Sequence, residues 1–188
     1  KDNIQRAIKK GAGGSDGANF EEITYEGYGP GGVAILVDCL TDNTNRSLHE
    51  IRYIFNKGNG NLGEIGSVNY MFDTKGVITF DKAKIDSEKT QEVAIDLGAD
   101  DIEEDEDYLT IYTAFEDFDR IRDELEKQGF AFSRAEVSKI PQTTVPIEGE
   151  DAEKVIQLVQ TLEDNDDVQN VHANFDISDS EFERISNL

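Results

Sequence analysis

The order of strand-like and helix-like segments between residues 75 and 138 restricts this chain to few folds. It runs strand, helix (87–98), strand (102–105), strand (108–113), helix (115–128), strand (131–138). That βαββαβ series is the split βαβ, or ferredoxin-like, arrangement, with helices segregated to one side of a sheet. Its second helix is the clearest element: Phe115, Phe118, Ile121 and Leu125 recur at helical spacing on the inside, and Arg122 falls outside.

The flanks carry a second pattern. Phe20–Glu26 and Val33–Leu40 are rich in β-branched and aromatic residues, and Gly27-Tyr-Gly-Pro-Gly-Gly32 between them predicts a β-hairpin turn. A helix follows, with Ser47 and Glu50 spaced as a capping box, Leu48, Ile51, Ile54 and Phe55 on one face, and Gly58 as its stop. The polar loop Gly58–Gly63 leads through Gly66 to an expected strand over Ser67–Phe72, a turn at Asp73–Gly76 and a strand at Val77–Phe80. After Pro141 come a strand at Thr143–Ile147, a helix at Asp151–Leu162 bearing Val155, Ile156, Leu158 and Val159, and a strand at Val168–Asp176. This last βαβ unit is too small to fold alone. The economical solution is an α+β fold in which residues 19–73 and 141–178 form one discontinuous domain (ββαβ plus βαβ), residues 74–140 are an inserted ferredoxin-like domain, and 179–188 are a C-terminal tail.

Charge narrows the function. The formal net charge is −23 and the isoelectric point is near 4.2, whereas nucleic-acid binders usually present Lys and Arg that displace counterions from phosphates. The distribution is uneven: Lys1, Arg6, Lys9 and Lys10 face only Asp2 within residues 1–10, a local +3 that leaves −26 on the remainder. Ile4, Ala7 and Ile8 follow helical spacing and Gly11–Gly17 reads as a flexible connector. With no initiator methionine, residues 1–18 are expected to be the end of a helical N-terminal domain and its linker. No run approaches the ~18 apolar residues of a membrane span, and the start lacks the order of a secretory signal. A soluble, cytoplasmic protein without a membrane partner is expected.

No residue cluster points to catalysis, a metal or a cofactor. Cys39, the single cysteine, lies in an apolar run and reads as a buried or half-buried strand thiol. His49 and His172 have no Cys or His neighbours at ligand spacing. The acidic run Asp100–Asp107 lacks the glycine and terminal glutamate of a calcium loop and reads as a solvated hairpin tip. Gly27, Gly29 and Gly32 match G-x-G-x-x-G, but a strand follows them where dinucleotide binding requires a helix, so a structural turn is favoured. Tyr25 and Tyr28 beside it read as cross-strand packing, with stacking on a base or peptide as the alternative. Thr41-Asp-Asn-Thr-Asn-Arg46 supplies short polar side chains for turns and caps, and Arg46 is not needed for that. Together with Arg52 and Lys57 it forms either a local anion or RNA-backbone contact or a merely solvated helix face.

Several motifs, in order, carry a family resemblance: Tyr25-Glu-Gly-Tyr-Gly-Pro-Gly-Gly-Val-Ala34, Thr41-Asp-Asn-Thr-Asn-Arg46, Asn61-Leu-Gly63 and Gly66-Ser-Val68, preceded by Lys1-Asp-Asn-Ile-Gln-Arg-Ala-Ile-Lys-Lys-Gly-Ala-Gly-Gly14. They closely resemble the YebC family, with Gly58-Asn-Gly60 departing from that family's more usual paired glycines. The resemblance implies a basic helical N-terminal domain followed by two α+β domains, the third inserted in the second. It also implies a non-enzymatic function. Family members are described as DNA-binding transcriptional regulators, and others, including the mitochondrial translational activator of cytochrome c oxidase, as ribosome-associated factors assisting difficult peptide bonds.

The expectation is therefore a regulator of gene expression with no small-molecule substrate, contacting the ribosome and its RNA, or DNA. Lys1, Arg6, Lys9, Lys10, Arg46, Arg52 and Lys57 would meet phosphates. Tyr25, Gly27, Tyr28, Gly29, Pro30, Gly31, Gly32, Asn43, Asn45, Asn61 and Gly63 would form a glycine-loop surface beside them. The alternative is an acidic protein–protein interaction module that touches no nucleic acid.

Overall fold

A computed structural model describes residues 19–188, which divide into two compact units. One comprises the described residues through Phe72 together with Pro141–Leu188, the other Asp73–Ile140.

In the first unit, β1 (Glu21–Tyr28) and β2 (Ala34–Thr41) form an antiparallel hairpin running from Glu21 opposite Thr41 to Tyr28 opposite Ala34. Its turn is a short 3-10 segment, Pro30–Gly32, in which Gly31 (φ 73°) and Gly32 (φ 77°) adopt the left-handed backbone that glycine tolerates. Helix α1 (Thr44–Lys57) follows, then β3 (Asn61–Leu62), which pairs with Gly27 and Tyr28. With β9 (Val168–Ala173) on the other side of β2, the sheet order is β3-β1-β2-β9.

Both faces of β2 are covered, which explains its continuous apolar run. Ile35, Val37 and Cys39 point to Ile51 and Phe55 of α1 and to Ala152, Val155, Leu158 and Leu162 of α4 (Gly149–Glu163). Ala34 and Leu36 point the other way, to Val68 and Phe72. Burial of one such large side chain contributes about 2 kcal/mol. A helix as short as α1 is marginal alone, so this docking is what holds it.

The second unit has β4 (Phe72–Asp81), α2 (Ser87–Leu97), β5 (Asp101–Glu104), β6 (Tyr108–Ala114), α3 (Phe118–Lys127) and β7 (Arg134–Pro141), with sheet order β5-β6-β4-β7. That is the ferredoxin-like order. Ile78, Phe80, Leu109 and Ile111 of the sheet pack on Ala94, Phe118, Ile121 and Leu125 of the helices.

Several sequence expectations are corrected. The segment Asp73–Gly76 is no turn but part of β4. Gly76 is needed because any Cβ there would collide with Phe118 and Thr113, so its absence lets the helix residue lie against the strand. Ser67–Phe72 is not a strand: the chain forms a turn and a 3-10 segment (Asn69–Met71) before Phe72, and the third strand is β3. Phe115 lies outside the core, 56% exposed, in a 3-10 turn that precedes α3. The expected strand Thr143–Ile147 shortens to β8 (Val145–Pro146), which pairs in parallel with β10 (Phe175–Asp176) in a separate small sheet. Asn174 divides the two ladders. Its side chain accepts from the Ala34 amide at 2.8 Å, its amide donates to the Ala34 carbonyl at 3.2 Å, and its carbonyl accepts from the Val145 amide at 2.7 Å. Residues 179–188 are not a bare tail: α5 (Asp179–Ser186) is capped by Ser178, and Arg184 pairs with Glu153 of α4.

Helix α1 also begins earlier than the capping-box reading implies. Asn43 is the cap, its side chain accepting from the Arg46 amide at 3.0 Å, while Ser47 is buried within the helix beside Tyr25 and Cys39. Asn43→Ala is therefore expected to cost about 1 kcal/mol of stability. Ser47→Ala, which leaves that cap intact, is expected to cost less. Urea unfolding of the two variants measures both, and the reverse ranking would place the cap at Ser47.

Candidate nucleic-acid interface

The loop after β3 is shaped by one carboxylate. Glu26 in β1 is 4% exposed, and its oxygens accept from the amides of Gly66 at 2.6 Å, Val68 at 3.1 Å and Asn69 at 2.7 Å. Its carbonyl also accepts from the Gly63 amide at 2.8 Å. Backbone amides that a strand would have sent to a neighbour thus converge on a side chain, which is why Ser67–Met71 turns. Ile65 and Tyr70 are left outside, 87% and 66% exposed.

The glycines expected to form a surface fall into two groups. Gly27, Gly29 and Pro30 are buried, and Gly31 and Gly32 are exposed. A Cβ on Gly27 would lie 2.7 Å from the Asn61 carbonyl and 2.8 Å from the Phe55 ring, so its role is close approach of β3 and α1. Tyr25 is no stacking platform: it is 7% exposed in the core, and its hydroxyl donates to the Thr44 carbonyl at 3.4 Å. Tyr28 is half-buried against Ala34 and Leu36, its hydroxyl reaching the Ser67 carbonyl at 3.5 Å. Asn45, Asn61 and Gly63 are exposed, as is the cap Asn43. Lys1, Arg6, Lys9 and Lys10 lie outside the described residues.

The outward face of α1 carries Arg46, His49, Arg52, Tyr53 and Lys57, and Glu50 is the helix's one acidic residue. Glu50 accepts from the Asn165 side chain at 2.9 Å. Arg46 has structural work after all. Its Nη2 lies 2.9 Å from both Asp42 Oδ1 and Asp167 Oδ2, and the 8% exposed Asp167 also accepts from Thr41 Oγ1 at 3.0 Å. These hydrogen bonds, to Asp167 first and Asp42 second, hold the guanidinium above its ordinary pKa. The pairing joins the start of α1 to the segment before β9. Arg52 and Lys57 are exposed, and Lys57 Nζ lies 5.8 Å from the centroid of the Tyr53 ring, within cation–π range.

Between α1 and α4 runs a groove of about 320 Å³ lined by Tyr53, Ile54, Lys57, Asn59, Lys154 and Leu158, among others. Gly58 permits it: a Cβ there would stand 2.8 Å from Leu158 Cδ1. Tyr53 and Lys154 were not singled out in the sequence, because Tyr53 falls on the solvent face of α1, opposite Leu48, Ile51, Ile54 and Phe55, where one aromatic leaves no local signal, and Lys154 belongs to a helix 97 positions away from Lys57.

Elsewhere in the unit His172 Nε2 lies 2.9 Å from Asp38 Oδ2, and Thr24 Oγ1 donates to Asp38 Oδ1 at 2.8 Å. The adjacent Cys39 thiol is pushed up to about 12, chiefly by burial, so it stays protonated and unreactive at neutral pH. Among the described residues no helix is long and apolar enough to cross a membrane.

Residues 20–175 match the family described as the second and third domain of TACO1/YebC. A probable transcriptional regulatory protein of Geobacter sulfurreducens is 54% identical over 185 residues, covering 98% of this chain and 74% of the relative. One from Trichlorobacter lovleyi is 53% identical over the same shares, and one from Natranaerobius thermophilus is 54% identical over 95% of this chain and 73% of its own. The crystal structure of a conserved hypothetical protein from Aquifex aeolicus superposes with a TM-score of 0.81 at 46% identity, over 95% of this chain and 74% of that one.

The Glu26 arrangement makes a sharp prediction. Glu26→Gln puts an NH2 group against converging amides, leaving buried donors unsatisfied, and is expected to lower stability by about 2–3 kcal/mol. Proteolysis should then cut first near Ile65. Equal urea midpoints for variant and parent would show that the loop is held by something else.

Proposed function

Because the chain belongs to the TACO1/YebC family, whose curated members include probable transcriptional regulatory proteins, we propose that it regulates gene expression by binding nucleic acid, without catalysing a reaction. The observation that carries this reading is the outward face of α1. There Arg52 and Lys57 stand exposed beside Tyr53, with Glu50 as the helix's one acid, in a chain of net charge −23, while Arg46 is committed to Asp42 and Asp167.

Folded RNA on a ribosome suits such a surface better than a long DNA duplex. The strongly anionic bulk repels an extended polyanion at long range, so attraction has to come from short-range contacts at a few cationic points. That balance supports a translation factor acting on the ribosome.

A second reading, docking of a basic protein, is favoured by the exposed acidic segment around the β5–β6 tip, where Asp105 Oδ1 accepts from the Asp107 and Tyr108 amides. One experiment separates the two. Co-sedimentation of the chain with purified ribosomes is expected to weaken with rising salt and to be lost after nuclease treatment. In Arg52→Glu, Lys57→Glu the slope of log K against log salt should fall by about 0.7–0.9 for each phosphate contact removed. Arg46 is left intact because it holds Asp167. Nuclease-resistant, salt-insensitive association would favour the protein partner.

A further inference from the structure

The groove between α1 and α4 has a composition at odds with the rest of the chain. The sequence has 41 acidic residues against 18 basic ones, yet the charged residues lining the groove are Lys57 and Lys154, the latter paired with Glu150. Ile54 and Leu158 form an apolar floor, while Asn59, Gln157 and Thr161 place amide and hydroxyl groups around it. Tyr53 stands at the edge, the residue 64% exposed, an aromatic surface that folding has not buried.

We propose that this groove binds one nucleotide of a single-stranded RNA, the base lying against Tyr53 and the phosphate held by Lys57 and Lys154. The assignment rests on the nucleic-acid reading above and deepens it. A planar base needs an aromatic or apolar platform with hydrogen-bonding groups at its edge, and a phosphate needs ammonium groups nearby. Both sets are present on the two walls of one groove. Its volume of about 320 Å³ is at the small end of ligand sites, which span roughly 300–1,000 Å³. A duplex is excluded as ligand because its base faces are already stacked and cannot reach an aromatic ring.

Two local features keep the groove open. Asn59 has a positive φ of 59° and turns the chain sharply after α1, so that Gly60 lies under the Tyr28 carbonyl, where a Cβ would come within 2.6 Å. Lys154 bonds Glu150 at 2.6 Å, but both side chains face solvent, and an exposed i,i+4 pair is weak enough for the ammonium to be shared with an incoming phosphate.

The test is fluorescence anisotropy of a labelled oligoadenylate RNA hexamer with the chain, set against the same RNA annealed to its complement and against a hexaglutamate peptide. Tyr53→Ala is expected to weaken binding of the single strand about tenfold or more, and Tyr53→Phe to restore it. Tyr53 is exposed, so neither change threatens the fold. The parent should show a log–log salt slope of about −1.4, or −0.7 for each ammonium engaged, and Lys57→Gln, Lys154→Gln should bring it towards zero. Unchanged affinity in Tyr53→Ala, equal binding of the duplex, or equal binding of the peptide would each overturn the proposal. Loss of hexamer binding with ribosome association intact would sink the groove assignment alone, and loss of both would sink the wider reading with it.

Discussion

The first unit is organised by a buried carboxylate that backbone amides hold. Glu26 is neutralised by backbone dipoles, those of Gly66, Val68 and Asn69, which converge on its oxygens as on an anion in a nest. The consequences spread outward. The loop it gathers places Val68 and Phe72 on the second face of β2, so the central strand is dry on both sides. It also ends the region in which β1 can pair, so β3 stays at two residues.

A similar economy governs the cations. The basic side chains of this unit among the described residues are Arg46, Arg52, Lys57, Lys154 and Arg184. Arg46 and Arg184 act as clasps, one between α1 and the segment before β9, the other between α5 and α4. The remaining three project from α1 and α4. In a chain so acidic, that separation of structural from exposed cations is what gives the α1 face its sign.

How much of this could be read in the sequence depended on the distance between interacting residues. Helix α3 was legible because Phe118, Ile121 and Leu125 repeat within a few residues and answer to one period. The hairpin was legible for the same reason. Gly76 was misread because a glycine after Asp73 looks like a turn, and only the position of Phe118, brought in by the fold, shows that the missing Cβ is a packing requirement. The Glu26 contacts span 40 to 43 positions and the Arg46–Asp167 pair spans 121, so neither leaves a local mark. Of the candidate site, Arg52 and Lys57 were named from charge alone, whereas Tyr53 became a candidate only once α4 was seen to bring Lys154 to the same groove.

The division of the first unit into two stretches has a consequence for how the protein is made. Asn174 bonds to Ala34 across 140 positions, and β9 closes a sheet whose other strands emerged long before it. During synthesis the segment between them is complete first, with its contacts close in sequence, and domains tend to fold as they emerge. Until its last partner appears, β2 must wait with an open, strongly apolar edge, the kind of exposed strand that invites pairing with another chain. That edge of β2 is therefore closed only after β9 has been translated.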